Sequence, residues 1–417
     1  MKNVILKQAT IIDSESSFHN QKMDISIENG IITSIEKSAK NTQNFEEILL
    51  NNLHVSQGWF DSSVSFGEPG FEDRETIANG LYVAAKSGFT DVALQPNTYP
   101  ILDNQSAISF VKNKANGFAT NLHPIGALTK NSDGEDLAEL FDMKNAGAIA
   151  FGDYNKSIEN ANIQKIALQY VQDFEGLVIS FCQDKSLKGN GVVNEGVVST
   201  QLGLKGIPAM AEEIDLIRNL SILEYTGGKM HIPTLSTAKS VQIIAAAKKK
   251  GLNVTCSVSV HHLTLNEKVL EGFDSRYKVA PPLQTESNRL ALIKGITDGT
   301  IDMITSDHNP IDIEHKKLEF DLAKNGTIGL ETAFGMLQNV LSTEIIVDKL
   351  VNGKTIFGLE KNSIKVGNKA ILTMFNPNQT LTVTKENILS KSKNSAFLGQ
   401  TLKGIVYGIY NNGKVEL

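Results

Sequence analysis

Three aspartates, Asp61, Asp153 and Asp307, stand within or just after short apolar runs, as do His231, His308 and the adjacent pair His261 and His262. Carboxylates and imidazoles held at strand ends are the groups that bind metal ions or move protons at a catalytic centre. Asp153 and Asp307, joined by hydroxyls, could ligate a hard cation such as magnesium, which takes oxygen donors. The histidine pair suggests a metal of its own. Each group also has a plainer reading. His231 falls on the apolar face of a predicted strand and reads as a hydrogen-bonded core histidine. The His261 and His262 pair reads as structural, and Asp61 as a carboxylate balanced by hydrogen bonds or nearby cations, whereas for Asp153, Asp307 and His308 the pattern favours neither reading. Cys182 has no predicted base beside it and reads as a buried, inert thiol. His54, His123 and His315 show no informative spacing, and no Gly-x-Gly-x-x-Gly or Walker-type run provides a phosphate loop.

The elements that would position these groups alternate along the middle of the chain. Apolar runs at Trp59 to Asp61, Asp91 to Leu94, Leu122 to Ala127, Ala148 to Phe151, Leu177 to Phe181, Met230 to Leu235, Val254 to Val258 and Met303 to Thr305 read as strands. Helices are predicted between them, including Glu75 to Lys86, Asp136 to Asn145, Ala211 to Thr226, Thr237 to Lys250 and Arg289 to Thr297. Eight such units favour an α/β fold of the (β/α)8 TIM-barrel type, whose chemistry collects at the C-terminal strand ends. A doubly wound open sheet is also compatible with this pattern. The two ends differ from the middle. Asp24 to Glu36 alternates around an Asn29-Gly30 turn, and Ala370 to Phe375, Leu381 to Thr384, Gly404 to Tyr410 and Lys414 to Leu417 read as short strands, with Asn412-Gly413 as a turn. The expected organisation is a small β-sandwich domain from residues 1–53 plus 360–417, and a barrel over 54–359.

A chain of 417 residues, 41% hydrophobic and 21% charged, can bury a large core. Cys182 and Cys256 are its only cysteines, which excludes a disulfide framework, and without a signal-like apolar stretch at the N-terminus a cytoplasmic location is expected. The net charge of −6 is spread along the chain, so neither nucleic acid nor a membrane surface is an expected partner. No apolar run approaches the ~18 residues of a transmembrane helix.

Residues 58–70, Gly-Trp-Phe-Asp-Ser-Ser-Val-Ser-Phe-Gly-Glu-Pro-Gly, resemble the dihydroorotase segment centred on His-x-His-x-Arg-Glu-Pro-Gly. The resemblance continues through Gln95-Pro96-Asn97-Thr98, Phe151-Gly152-Asp153, Phe181-Cys182-Gln183-Asp184, His231-Ile232-Pro233-Thr234-Leu235-Ser236-Thr237, Lys278-Val279-Ala280-Pro281-Pro282-Leu283-Gln284 and Ser306-Asp307-His308-Asn309-Pro310-Ile311. Asn194-Glu195-Gly196, His261-His262-Leu263 and Gly329-Leu330-Glu331-Thr332 extend it, from about residue 50 to the segment 394–404.

What the resemblance implies is a metal-dependent-hydrolase-type barrel in which zinc activates a water to open or close a six-membered ring at an amide carbonyl. The family ligand positions fall on Ser63, Ser65, Asp153, Phe181, Thr234 and Asp307, of which Asp153 and Asp307 alone keep the family residue. Asp307 matches the proton-shuttling aspartate, and Asn97 the asparagine that helps hold the substrate carboxylate. The substrate-gripping arginine is replaced by Gly67, and further polar positions by Ala280 and Ile311. Serine and threonine hydroxyls are poor zinc ligands at neutral pH and phenylalanine has no lone pair, so no bound metal is expected here. The leading expectation is therefore a catalytically silent dihydroorotase-like protein of pyrimidine biosynthesis. It would assemble with aspartate carbamoyltransferase, as family members lacking the ligands do, and form a homodimer. The alternative is an active cyclic amidohydrolase interconverting N-carbamoyl-L-aspartate and dihydroorotate through a non-standard metal site. A third reading is a small-molecule sensor anchored at Asn97.

Overall fold

Apolar runs too continuous for a half-exposed strand demand cover on both faces. The computed structural model, which describes residues 3–39 and 44–417, supplies that cover. The strands β1 (Trp59–Val64), β2 (Phe89–Leu94), β3 (Asn121–Gly126), β4 (Ala150–Phe151), β5 (Leu177–Ile179), β6 (Lys229–Ile232), β7 (Val254–Ser259) and β8 (Met303–Thr305) form one parallel sheet in sequence order. Every residue of β1 and β2 is buried. The sheet closes where β1 meets β8, through a parallel bridge between Val64 and His308. There the Ser65 amide donates to the His308 carbonyl at 2.8 Å, and the His308 amide to that of Ser63 at 3.1 Å. Closure excludes the doubly wound alternative and makes the fold a (β/α)8 barrel with a small β domain built from both termini.

Inside the barrel, Phe60, Ala93, Ile125, Ile179 and Met303 form a separate apolar cluster, plugged from below by Phe357, whose ring lies 5.2 Å from that of Phe60. Helices start where a side-chain oxygen can cap them: Thr76, Thr237 and Thr285 accept from Asn79, Ser240 and Asn288 amides. Thr285 is the reason the helix expected from Arg289 begins at Glu286. The helix expected from Asp136 begins only at Leu140, because the Asp136 carbonyl and the Ala138 amide bond back to Lys130 and Leu128 in the loop after β3.

The terminal sheet has eight strands, drawn from Val4–Ile11, Lys22–Glu28, Ile31–Glu36, Glu46–Ile48, His54–Gln57, Leu372–Thr382, Thr401–Asn411 and Lys414–Glu416. His54–Gln57 joins the two ends of the chain, pairing in parallel with Val4–Ile11 and antiparallel with Leu372–Thr382. The turn at Asn29 and Gly30 has φ of 50° and 82°, the left-handed pair a tight hairpin requires. Leu381 does not begin a new strand as expected; it continues Leu372–Thr382 past a register irregularity between Asn376 and Thr380. Residues 1–2 and 40–43 of the expected N-terminal unit lie outside the described residues. Trp59 joins sheet and barrel, its ring stacking on Phe334 at 5.2 Å and lying tilted against Phe375 at 5.6 Å. Among the described residues, no helix is long and apolar enough to cross a membrane.

Candidate functional site

The first strand delivers Asp61, Ser63 and Ser65 to the barrel mouth. Asp61 is wholly buried and accepts hydrogen bonds from the Ser63 amide at 2.9 Å, the Thr305 hydroxyl at 2.5 Å and the Ser306 amide at 2.8 Å. Its carboxylate laces β1 to β8, which is the structural role its type allowed. Ser63 donates to Asp307 Oδ1 at 3.0 Å, and Ser65 to Asn97 Oδ1 at 3.0 Å. Gly67 has a φ of +84°, and a Cβ there would lie 2.5 Å from the Phe71 carbonyl oxygen. The backbone at the family's arginine position thus admits no side chain without moving.

Asp153, at the end of β4, faces its neighbouring strand. One oxygen accepts from the Leu128 and Thr129 amides at 2.8 and 3.1 Å, the other from the Thr129 hydroxyl at 2.5 Å. Burial pushes its carboxyl up, and the Thr129 and Leu128 bonds pull the other way. Phe181, after β5, is buried and lines a cavity of about 430 Å³ together with Asp153, Lys156 and Lys188. Thr234, after β6, has a left-handed φ of 48° and a buried hydroxyl that makes no hydrogen bond. For a β-branched residue that backbone is a strained outlier of the kind that gathers at functional sites. Asp307 shares it, with φ of 49°. Ala280 lines a second cavity of about 450 Å³ with Lys188 and Lys278, and Ile311 a third of about 880 Å³ with Arg276, Lys316 and Asn394.

Burial pushes the Asp307 carboxyl up to about 7, against its Ser63 hydrogen bond, and the nearby Asp61 adds to the rise. The histidines around it are held neutral. Burial lowers His308 to about 3 and His262 to about 4, and takes His261 well below its usual value. His262 Nδ1 lies 2.7 Å from the Ser259 hydroxyl, and His308 Nδ1 accepts from the Gly329 amide at 3.2 Å. His231 is the core histidine its strand position suggested, sitting between Thr255 and Ser257 at 2.9 and 3.1 Å with its ring against Phe357. Cys182 is buried, and burial raises its thiol well above the usual range, with Asp215 adding to the rise.

His261 departs from the sequence reading. It is buried, neither ring nitrogen makes a hydrogen bond, and Nε2 lies 3.9 Å from Asp307 Oδ2. An imidazole thus stands at the mouth beside Asp307, at a position the sequence marked only as structural. Tyr154 was also missed: its hydroxyl bonds to Ser65, and burial followed by the charge of Asp307 pushes the phenol well above its usual value. Its position next to Asp153 was the available signal. Of the six family ligand positions, the structure joins Ser63 to Asp307 by a hydrogen bond and commits Asp153 elsewhere.

This donor set does not fit catalytic zinc, which takes neutral imidazoles, thiolates and carboxylates with a position open for water. Ser63, Ser65 and Thr234 offer protonated hydroxyls, Phe181 offers nothing, and both oxygens of Asp153 already accept hydrogen bonds. Among the described residues no group of three or more His, Cys, Asp or Glu side chains could hold a metal ion. What remains at the mouth is the Asp307 carboxyl, able to exchange a proton near neutral pH, with neutral imidazoles around it.

A family profile described as Dihydro-orotase-like matches residues 54–240. The dihydroorotase of Pelotomaculum thermopropionicum is 40% identical over 421 residues, covering 99% of this chain and 98% of its own. That of Geobacter metallireducens is 38% identical and covers 99% of each. Among solved structures, an L-hydantoinase from Arthrobacter aurescens superposes with a TM-score of 0.85 at 21% identity, over 100% of this chain and 97% of that one, a likeness of fold. With relatives of this identity matched along almost its entire length, the chain belongs to the dihydroorotase family.

Proposed function

We propose that this member of the dihydroorotase family no longer opens or closes the dihydroorotate ring and acts in pyrimidine biosynthesis as a structural partner of aspartate carbamoyltransferase. The observation that carries the first half is the state of the ligand positions: a buried Phe181, an orphaned Thr234 hydroxyl, and an Asp153 carboxylate spent on the Leu128 and Thr129 backbone. With no Lewis acid there is no hydroxide at neutral pH, and Asp307 has no activated water to serve. The second half is supported by a closed, well-packed barrel kept around that site, which leaves the outer surface as the part able to act. The test is dihydroorotate hydrolysis and metal content of protein purified without chelator, then sedimentation with aspartate carbamoyltransferase from the same organism. No turnover, no stoichiometric metal and a complex at micromolar concentration are expected. Turnover with bound zinc overturns the first half, and independent sedimentation the second.

One observation favours a second reading, an active cyclic amidohydrolase with a non-standard metal site: the unbonded His261 beside Asp307. An imidazole with both nitrogens buried and unsatisfied is costly to keep without a role. If His261→Phe leaves activity and metal content unchanged from a zero baseline, this reading falls.

A further inference from the structure

The loops that follow β5 and β7 enclose the cavity of about 450 Å³ that Ala280 lines. One wall is apolar, made by Val192, Ile207 and Pro282. Ile207 is held there by a short parallel pair of Val193–Asn194 with Gly206–Ile207. The facing groups are polar and poorly satisfied. Lys278 is 5% exposed, donates to the Asp321 carbonyl at 2.8 Å and lies 5.7 Å over the Phe320 ring. Lys188, at the end of the short helix Lys185–Lys188, is half-buried, and its ammonium makes no hydrogen bond or ion pair among the described residues. Gln183 is 7% exposed; its backbone amide donates to Asp215 at 2.9 Å, but its side-chain amide has no partner among the described residues.

Burial lowers both lysines; at Lys278 the exposed Asp321 opposes the fall and the charge of Lys188 adds to it. Asp321 is the only carboxylate lining the cavity and forms an ion pair with neither lysine. Two desolvated ammonium groups that act on one another, with no carboxylate paired to either, cost stability that an anion between them would return. A buried amide without a partner points the same way, since its N–H groups can donate to that anion.

We propose that this cavity binds the phosphate group of a small phosphorylated molecule, with Lys188, Lys278 and the Gln183 amide on its oxygens and the body of the molecule against Val192, Ile207 and Pro282. Charge and shape select phosphate over carboxylate. A phosphate monoester carries roughly −1.5 to −2 at neutral pH on three acceptor oxygens, enough to answer both lysines. Ammonium groups act as point charges around such a tetrahedral group, whereas a planar carboxylate is best gripped by an arginine fork, and no arginine lines the cavity. Neither Asp307 nor Asn97 lines it, so the assignment stands apart from the proton-exchanging centre and holds whether or not ring chemistry persists there.

Isothermal titration calorimetry of the full chain at constant ionic strength, with inorganic phosphate, phenyl phosphate and succinate, tests the proposal. Saturable binding of both phosphates is expected, phenyl phosphate being the tighter because its ring covers the apolar wall, and succinate is expected to bind more weakly than either. Lys188→Met is expected to weaken phosphate binding at least about tenfold with unchanged circular dichroism, because Lys188 bonds to nothing the fold needs. Lys229→Met, at the start of β6 and paired with Glu175 at 3.3 Å, is expected to leave it unchanged. No saturable phosphate binding, succinate as tight as phosphate, phenyl phosphate no tighter than inorganic phosphate, or equal affinities of Lys188→Met and Lys229→Met overturn it.

Discussion

The two ends of the barrel treat buried polar groups in opposite ways. At the bottom, Asp91 pairs with Lys354 at 2.8 Å and His123 at 2.9 Å, and Thr90 and Asn121 complete its hydrogen bonds at 2.8 and 3.0 Å. Burial alone would raise this carboxyl, but Lys354 and His123 outweigh it and hold Asp91 far below the usual range. At the mouth, the hydroxyl of Thr234, both nitrogens of His261 and Nε2 of His308 are buried without a partner, and Thr234 and Asp307 keep left-handed backbones. Burial of polar groups is tolerated when each is satisfied. The bottom is organised for stability, whereas the mouth keeps the strained frame of a functional site.

The largest test breaks the better-paired end. Lys354→Met leaves Asp91 buried beside one cation fewer and is expected to cost about 3–5 kcal/mol in denaturant unfolding. A second buried lysine sharpens the contrast. Lys316, near the mouth, is 3% exposed and donates to the Lys278 and Lys324 carbonyls, and burial lowers it from 10.5 to about 7, with Lys278 adding to the fall. Between those values the unfolded chain holds a proton that the folded chain has released, so stability should rise with pH in that window, by at most about 1.4 kcal/mol per unit. Lys316→Met should abolish that rise, as read from unfolding midpoints across the window.

Placing imidazoles at the strand ends with S63H, S65H, F181H and T234H together is expected to cost about 1–3 kcal/mol without metal, through buried polar groups, and to bring stoichiometric zinc uptake by elemental analysis. Failure to bind zinc would show that the commitment of Asp153 to Leu128 and Thr129 had closed the site as well. The smallest effect is expected at Thr234→Val, which removes an unsatisfied hydroxyl and should leave stability unchanged or raised by up to about 1 kcal/mol.

The strands were legible because each is a short run apolar enough to need cover on both faces, and the motif order gave the family before any contact was known. Element ends were less legible. The loop bonds of Asp136 and Ala138 shortened one helix, and a register irregularity let Leu372–Thr382 run through a predicted break. Within the site, residue type sufficed for Phe181 and Gly67, which cannot donate a lone pair or grip a carboxylate whatever their surroundings. It did not suffice for Asp153 or His261, whose value depends on where the side chain points.

By itself, then, the order of residues determined the barrel, the family and the residue types that stand at the strand ends, because periodicity and side-chain chemistry are local properties. Only the tertiary structure decided that Asp153 is spent on a neighbouring strand end, that His261 stands unbonded beside Asp307, and that Lys188 and Lys278 line one cavity. Those facts depend on distant segments packing together, and no local pattern encodes which neighbour a buried group will meet.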